Sequence, residues 1–595
     1  MTTHDSTKDT ETGQNLEKLE ANLQRIEELS QRLVSAMGSG RKVPTSLQGP
    51  NPDLYVKAAG AYASEMMNNP AKMIESQVAF WGKSVKHYVE AQHLLAQGKL
   101  EAPADDAPRD RRFANEMWDT NPYFNFIKQQ YLTNAEAIQQ SVSEIDTLDA
   151  GEQRRLEYFS QQIIDMMSPT NFLATNPEAL SLAAETDGES LVAGLENLVA
   201  DLERNNGDLV VTLADKEAFQ VGENLGTTPG QVVFRNRLFE LIQYTPTTET
   251  VHETPLIIFP PWINKFYILD LKPQNSLIKW AVDQGHTVFI VSWVNPDASY
   301  RDTSMTDYVQ DGFLTAFDYV KEICGVDQVN AVGYCIAGTT LSMTLALMAQ
   351  RGDHSVKSAT LFTTLTDFLD RGEVGVFLDD DFVNGIEQEV VESGILSSFY
   401  MSRTFSFLRS NDLIYGPAIK SYMLGKAPPA FDLLYWNGDG TNLPAVMAVE
   451  YLRGLCQGDK FATNGMKIAG TTVHLSEVNV PICAIACETD HIAAWKSSYR
   501  GVQKMGSGDK TFILSESGHI AGIVNPPTKN KYGHYTNVDL GLTPDDWQAA
   551  AEKHTGSWWP RWGEWIAGHS DAMVRAREPV ADTELGNAPG TYVLN

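Results

Sequence analysis

Along the first third of the chain apolar residues recur at intervals of three and four, the spacing of one helix face, whereas farther on they gather into short β-branched runs. This change of rhythm predicts a helical region followed by a region of alternating strands and helices. Leu16, Leu19, Leu23, Ile26, Leu33 and Met37 form a seam interrupted at Ser30, which predicts a helix from Asn15 to Met37 that stops at Gly38-Ser39-Gly40. Residues 1–15 read as a disordered tail. The seam fits a helix packed on its own chain or an arm that pairs with a partner or a second copy. A second helical stretch at 52–98 ends in a charged, proline-containing linker at 101–108. Helical patterns resume from Phe113 to Ala200, punctuated by Asn121-Pro122, with Ser168-Pro169 and Asn176-Pro177 capping new helices. The predicted helical N-terminal domain spans 16–240.

Near Thr245 the pattern changes. Leu256–Phe259, Thr287–Trp293, Val329–Tyr334, Ala359–Leu365, Ile482–Cys487 and Thr511–Leu514 read as strands with helical stretches between most of them. Such alternation predicts an α/β architecture, a doubly wound, mostly parallel sheet over residues 241–595. The interval 366–478 lacks it, and an insertion of that size between two core strands is most simply a cap over the site.

Composition then narrows the function classes. Hydrophobic residues make up 43% and charged residues 21%, as in globular proteins. With 46 Lys and Arg against 76 Asp and Glu the net charge is -30, which repels phosphate backbones and anionic lipid, so no nucleic-acid partner is expected. No apolar run approaches transmembrane length and the polar start lacks an apolar leader core, so neither a transmembrane segment nor a secretory signal is expected, and the compartment is the cytosol. Five cysteines are too few for a disulfide scaffold. Cys483 and Cys487 lack a second ligand pair at zinc spacing and, with Cys324 and Cys456, read as core residues; no metal site is expected.

Cys335 differs from the other four. Strand Val329–Tyr334 runs into Gly333-Tyr334-Cys335-Ile336-Ala337-Gly338 and then a helix, the context of the nucleophile elbow of α/β-hydrolases. Small residues two before and two after the nucleophile, Gly333 and Ala337, suit its tight turn. The helix N-terminus favours the thiolate. In that fold an acid and a base follow at the ends of late strands. Here Asp490 follows Ile482–Cys487 and His519 follows the strand at 511–514, so His519 would deprotonate Cys335 while Asp490 orients the imidazole. Glu488 is the alternative acid, and His491, adjoining Asp490, reads as a neighbour of the triad. For the oxyanion hole Ile336 supplies one N–H. Pro260 and Pro261 have none, so Trp262, Ile263 or the Asn264 amide supplies the second, with Ile263 the choice. A cysteine acyl-enzyme keeps the energy of a thioester, which suits acyl transfer to a hydroxyl acceptor, with the cap as a shield against water.

The chain resembles the polyhydroxyalkanoate (PHA) synthases, through Pro260-Pro-Trp-Ile-Asn-Lys-Phe-Tyr-Ile-Leu-Asp-Leu, Val291-Ser-Trp-Val-Asn-Pro-Asp, Gly333-Tyr-Cys-Ile-Ala-Gly, Tyr435-Trp-Asn-Gly-Asp-Gly-Thr-Asn, Thr489-Asp-His-Ile-Ala-Ala-Trp, Ser517-Gly-His-Ile-Ala-Gly-Ile-Val-Asn-Pro-Pro and Gly556-Ser-Trp-Trp-Pro. Asn121-Pro-Tyr-Phe-Asn and Ser168-Pro-Thr-Asn-Phe extend it into the helical part. It departs at Ala337, where Gly is more usual, and at Trp262, where Cys is often found. The resemblance implies an α/β-hydrolase fold and catalytic roles for Cys335, Asp490 and His519. It also implies polymerisation of (R)-3-hydroxyacyl-CoA with release of CoA and no cofactor. A class I type implies a homodimer without a second subunit type, short hydroxyacyl groups, and work on the surface of a cytoplasmic granule, where granule-associated proteins could meet the N-terminal helix. Carried over as substrate or access residues are Trp436, linked to site access or a dimer contact, and Ala521, two after the catalytic His; Asn264 joins them as a substrate contact. The rival readings are a thioesterase with the same triad and a non-catalytic granule-coating protein.

Overall fold

A computed structural model of the chain describes residues 6–38, 56, 58–60, 110–145, 148–580 and 584–595, the backbone alone for 6–20 and 23. Nearly all of the helical stretch read at 52–98, and the linker after it, lie outside the described residues. The chain forms two compact units, Met1–Asp215 with Arg409–Pro429, and Lys216–Leu408 with Ala430–Asn595.

The first unit is helical. Helix α1 spans Ser6–Met37, so residues 6–14, read as a disordered tail, continue the helix, since adding a turn to an existing helix fixes few new dihedrals per hydrogen bond. Its buried seam runs through Leu29, Leu33 and Ala36 rather than through Ser30, Ile26 and Met37, which are exposed. Leu29 and Leu33 pack with Val192, Leu195 and Val199 of α5 (Glu189–Arg204), the reading in which α1 packs on its own chain. Arg25 pairs with Glu196 and Arg32 with Glu203. Both partners lie seven residues apart, about two turns, so the two exposed pairs fix the register of α1 on α5. Between them in sequence lie α2 (Pro122–Ser143), α3 (Ala150–Met166) and α4 (Pro177–Glu185). Proline at N1 and an Asn side chain capping the first turn start α2 and α4. Ser168-Pro169 opens only a 3-10 turn, because the Ser168 hydroxyl bonds Thr170 Oγ1 instead of capping a helix. Part of the stretch read as cap belongs to this unit: Tyr422 donates its hydroxyl to Asp201 of α5, and its carbonyl sits where a Cβ on Gly194 would be.

The second unit is built on a ten-stranded sheet. Its strands are β1 (Gly230–Arg235), β2 (Phe239–Tyr244), β3 (Leu256–Phe259), β4 (Val288–Trp293), β5 (Val329–Tyr334), β6 (Val356–Phe362), β7 (Ile482–Cys487), β8 (Lys510–Ser515), β9 (His534–Thr536) and β10 (Glu552–His554). The spatial order is β1-β2-β4-β3-β5-β6-β7-β8-β9-β10. The six from β4 to β8 pair in parallel, and antiparallel strands close each edge. Strands β3, β4, β5 and β7 are buried at every position, which is why they read as continuous apolar runs.

Two boundaries differ from the sequence reading. The division placed at 240 falls inside β2, since β1 and β2 form a hairpin that belongs to the sheet. Glu240 and Gln243 mask β2 as a strand; Glu240 is buried but accepts from Arg235 and from the Thr591 and Tyr592 N–H groups. Strand β6 starts and ends three residues early, and Thr363, at φ 40°, turns the chain out of the sheet toward the cap. Between β6 and β7 the cap includes α7 (Asp380–Ser393) and α8 (Ser398–Leu408), which stay with the sheet unit. Among the described residues no helix is long and apolar enough to cross a membrane.

Candidate active site

Strand β5 ends at Tyr334 and helix α6 begins at Ile336 and runs to Arg351, so the whole reversal falls on Cys335, at φ 54°, ψ -123°. A non-glycine residue at positive φ is strained and is tolerated where its surroundings hold it. Here the Cys335 N–H donates to the Phe362 carbonyl at 2.8 Å, tying the elbow to the end of β6, and its own carbonyl accepts from Gly338 at 2.9 Å. A Cβ on Gly333 would lie 2.5 Å from the Gly338 Cα, and one on Gly338 would overlap the Thr364 side chain. The tight approach is thus between Gly333 and Gly338, and Ala337 is accommodated, fully buried.

The neighbouring strands deliver the partners. After β7 the Asp490 carboxylate accepts from the Ile492 and Ala493 N–H groups through Oδ1, each at 2.8 Å, and meets His519 Nδ1 through Oδ2 at 2.6 Å. After β8, Ser517 adopts φ 78° and its carbonyl accepts from Thr489 N–H, which joins the acid loop to the base loop. The Tyr334 ring stacks on the His519 ring at 5.9 Å, and its hydroxyl donates to the His519 carbonyl. His519 also lies beside the Cys335 thiol, close enough for the two to interact electrostatically. Burial opposes charging of this imidazole, but the Asp490 carboxylate and the Cys335 thiol beside it outweigh burial and raise its pKa well above the ordinary value. Thiol, imidazole and carboxylate thus lie in succession, the imidazole bonded to the carboxylate, an arrangement able to hold the imidazolium form and to move a proton at Cys335 Sγ.

The alternatives are engaged elsewhere. Glu488 Oε1 accepts from Gln548. Asp490 spends both oxygens without His491. Burial pushes the Cys324 thiol to about 11 and Cys456 to about 12, and raises Cys483 and Cys487 as well, so those thiols stay protonated at neutral pH.

Above Cys335 lies an apolar cavity of about 90 Å³, lined by Ile263 and Ile336 below and by cap residues, among them Phe377, Phe382, Tyr400, Phe405, Tyr451 and Cys456. Cys456 is thus a wall of this cavity as well as a core residue, which its amphipathic sequence context did not reveal. Asn264, Trp436 and Ala521 are not in its wall. The Asn264 N–H closes a turn on the Pro261 carbonyl at 3.3 Å. Trp436 is 4% exposed, and its indole N–H donates to the Lys265 carbonyl at 2.7 Å. Trp262 is buried, with its indole N–H on Thr340 Oγ1 of α6.

Comparison with known proteins places this geometry. A family model described as Poly-beta-hydroxybutyrate polymerase (PhaC) N-terminus matches residues 109–281, and one described as alpha/beta hydrolase fold matches residues 255–526. The poly(3-hydroxyalkanoate) polymerase of Methylorubrum extorquens is 41% identical over 562 residues, covering 93% of each chain. The chain belongs to the poly(3-hydroxyalkanoate) polymerase family. A second member, the PhaC subunit of the Rhizobium meliloti polymerase, is 38% identical over 97% of this chain and 95% of its own. The Cupriavidus necator PhaC subunit is 40% identical over 86% and 87%. The candidate site stands on an α/β-hydrolase sheet, at the carboxyl ends of β5, β7 and β8.

Proposed function

We propose that the protein is a PHA polymerase that joins (R)-3-hydroxyacyl groups, short ones such as 3-hydroxybutyryl, from CoA thioesters into polyester through a thioester on Cys335. The observation that carries this reading is a strained cysteine beside a buried imidazole that a carboxylate holds, opening into an apolar cavity. His519 takes the Cys335 proton, Sγ bonds the substrate carbonyl carbon, and the bond from that carbon to the CoA sulfur breaks, with the proton passing from His519 to the leaving CoA thiolate. The hydroxyl of another hydroxyacyl unit then attacks the Cys335 thioester. Its oxygen bonds the carbonyl carbon, the bond to Sγ breaks, and the hydroxyl proton returns through His519 to Sγ. During both steps Asp490 keeps Nδ1 protonated, so that Nε2 faces the sulfur. The N–H groups of Ile336, which has no helical partner at the first position of α6, and of Ile263 stabilise the negative oxygen.

Water would compete with the hydroxyl in the second step, and the aromatic cap over Cys335 keeps the acyl-thiol dry. Thiolate, imidazole and carboxylate supply nucleophile, base and orientation, so the scheme uses no cofactor or metal, and CoA is only a leaving group. The family resemblance adds a class I homodimer working without a second subunit type at the surface of a cytoplasmic granule. Incubation of the purified chain with (R)-3-hydroxybutyryl-CoA tests the function. Release of CoA with insoluble polyester is the expected result, and release with only free hydroxy acid would make the protein a thioesterase.

A further inference from the structure

The loop after β3 carries three carbonyls that are all held by one short segment of the cap. Thr441 Oγ1 donates to the Trp262 carbonyl at 2.8 Å, the Thr441 N–H to the Ile263 carbonyl at 3.1 Å, and the Trp436 indole to the Lys265 carbonyl at 2.7 Å. Asn264 and Gly440 form an antiparallel bridge between the two segments. On its other side the loop is tied to the nucleophile helix: the Trp262 indole donates to Thr340 Oγ1 at 3.2 Å, and that hydroxyl donates to the Ile336 carbonyl at 3.0 Å. Thr441 and Trp262 are 1% and 0% exposed, so water does not substitute for these bonds.

A planar trans peptide points its C=O and its N–H in opposite directions. Fixing the Trp262 carbonyl therefore fixes the direction of the Ile263 N–H, which belongs to the same peptide. Pro260 and Pro261 have no N–H, the Asn264 N–H is taken by Pro261, and Ile263 lines the cavity with Cys335 and Ile336. We propose that Thr441 is a positioning residue of the reaction: its hydroxyl locks the Trp262–Ile263 peptide so that the Ile263 N–H serves as the second oxyanion donor. This rests on the acyl-transfer reading of the site. Without the hydroxyl the buried Trp262 carbonyl has lost its partner, and the peptide rotates toward another, taking the Ile263 N–H with it.

The test compares full-length Thr441→Val and Thr441→Ser in steady-state CoA release from 3-hydroxybutyryl-CoA, alongside iodoacetamide alkylation of Cys335, which reads the thiolate without using the oxyanion hole. The expected result for Val is a kcat about 10- to 100-fold lower, up to the lower end of the cost of a lost oxyanion donor, with KM and alkylation within about twofold; Ser stays within about threefold of wild type. A Val variant as fast as wild type, Ser falling with Val, or alkylation falling in step with kcat would overturn the assignment. Should Val fail to fold, judged by thermal unfolding, Thr441→Ala takes its place under the same criteria. Acylation by p-nitrophenyl acetate separates the two readings. A wild type that reacts with the ester but not with the CoA substrate ends the polymerase reading, and the Val and Ser rates on the ester then decide the role of Thr441.

Discussion

The two ends of the parallel sheet treat a buried histidine in opposite ways. At the carboxyl ends of the strands His519 lies between a carboxylate and a thiol, and its pKa is raised well above the ordinary value. At the amino ends His286, just before β4, stacks on His252 at 4.6 Å, and burial together with that second imidazole pushes it down to about 3. His286 Nδ1 has no hydrogen-bond partner. Both rings are almost equally buried, so burial alone does not make a base: the neighbours decide whether the charged form is held or refused. The strained and charged chemistry sits where the loops of β5, β7 and β8 converge, while the other edge carries packing.

The largest effect that would break this contrast is on catalysis. Loss of a general base costs about 10²- to 10⁴-fold, so His519→Ala is expected to lose at least about 100-fold in single-turnover CoA release, and His491→Ala less than about tenfold. A greater loss in His491→Ala would overturn the assignment of the base. An intermediate effect is on stability. Because the folded pKa of His519 is raised, its contribution is fully present below the ordinary imidazole value of about 6.5 and fades as pH rises through the raised value. Asp490→Asn removes the carboxylate that contributes most to the rise, so the gap in denaturant midpoint between wild type and variant should be widest near about pH 5.5 and narrow as pH rises through the raised value. A gap that widens with pH contradicts the direction given to His519. The smallest effect belongs to the other edge. His286 refuses its proton in the fold, so it weakens the protein by about 1.4 kcal/mol for each pH unit below about 6.5, down to its folded value. His286→Leu should therefore move the acid-unfolding midpoint to lower pH and leave the rate of CoA release within about twofold. A midpoint that does not move would show that His286 is not strained in the folded chain.

The same contrast explains what the sequence made legible. Cys335 follows its strand directly, Asp490 and His519 lie in the short loops just after theirs, and the parallel sheet brings those strand ends together, so local pattern and topology were enough to pick out the three. Five of the six strands read from the sequence differ by no more than one residue at either end. The hairpin of β1 and β2 was hidden because, besides Arg235, the partners that satisfy the buried Glu240 lie at Thr591 and Tyr592, far along the chain. In α1 the spacing drew the seam through Ile26 and Met37, and only the packing of Leu29 against Val192 and Val199 shows the buried face. Thr441 lies within the motif that begins at Tyr435, yet nothing in its spacing shows that its hydroxyl meets the Trp262 carbonyl.

The central claim is that Cys335 carries the acyl group. Wild-type protein mixed with (R)-3-hydroxybutyryl-CoA for less than one turnover, quenched in acid and digested, should yield the Cys335 peptide with one hydroxybutyryl thioester for each CoA released. His519→Ala should yield neither the adduct nor the CoA. CoA released while Cys335 stays unmodified, or an adduct on Cys456 in the cavity wall instead, would contradict the account.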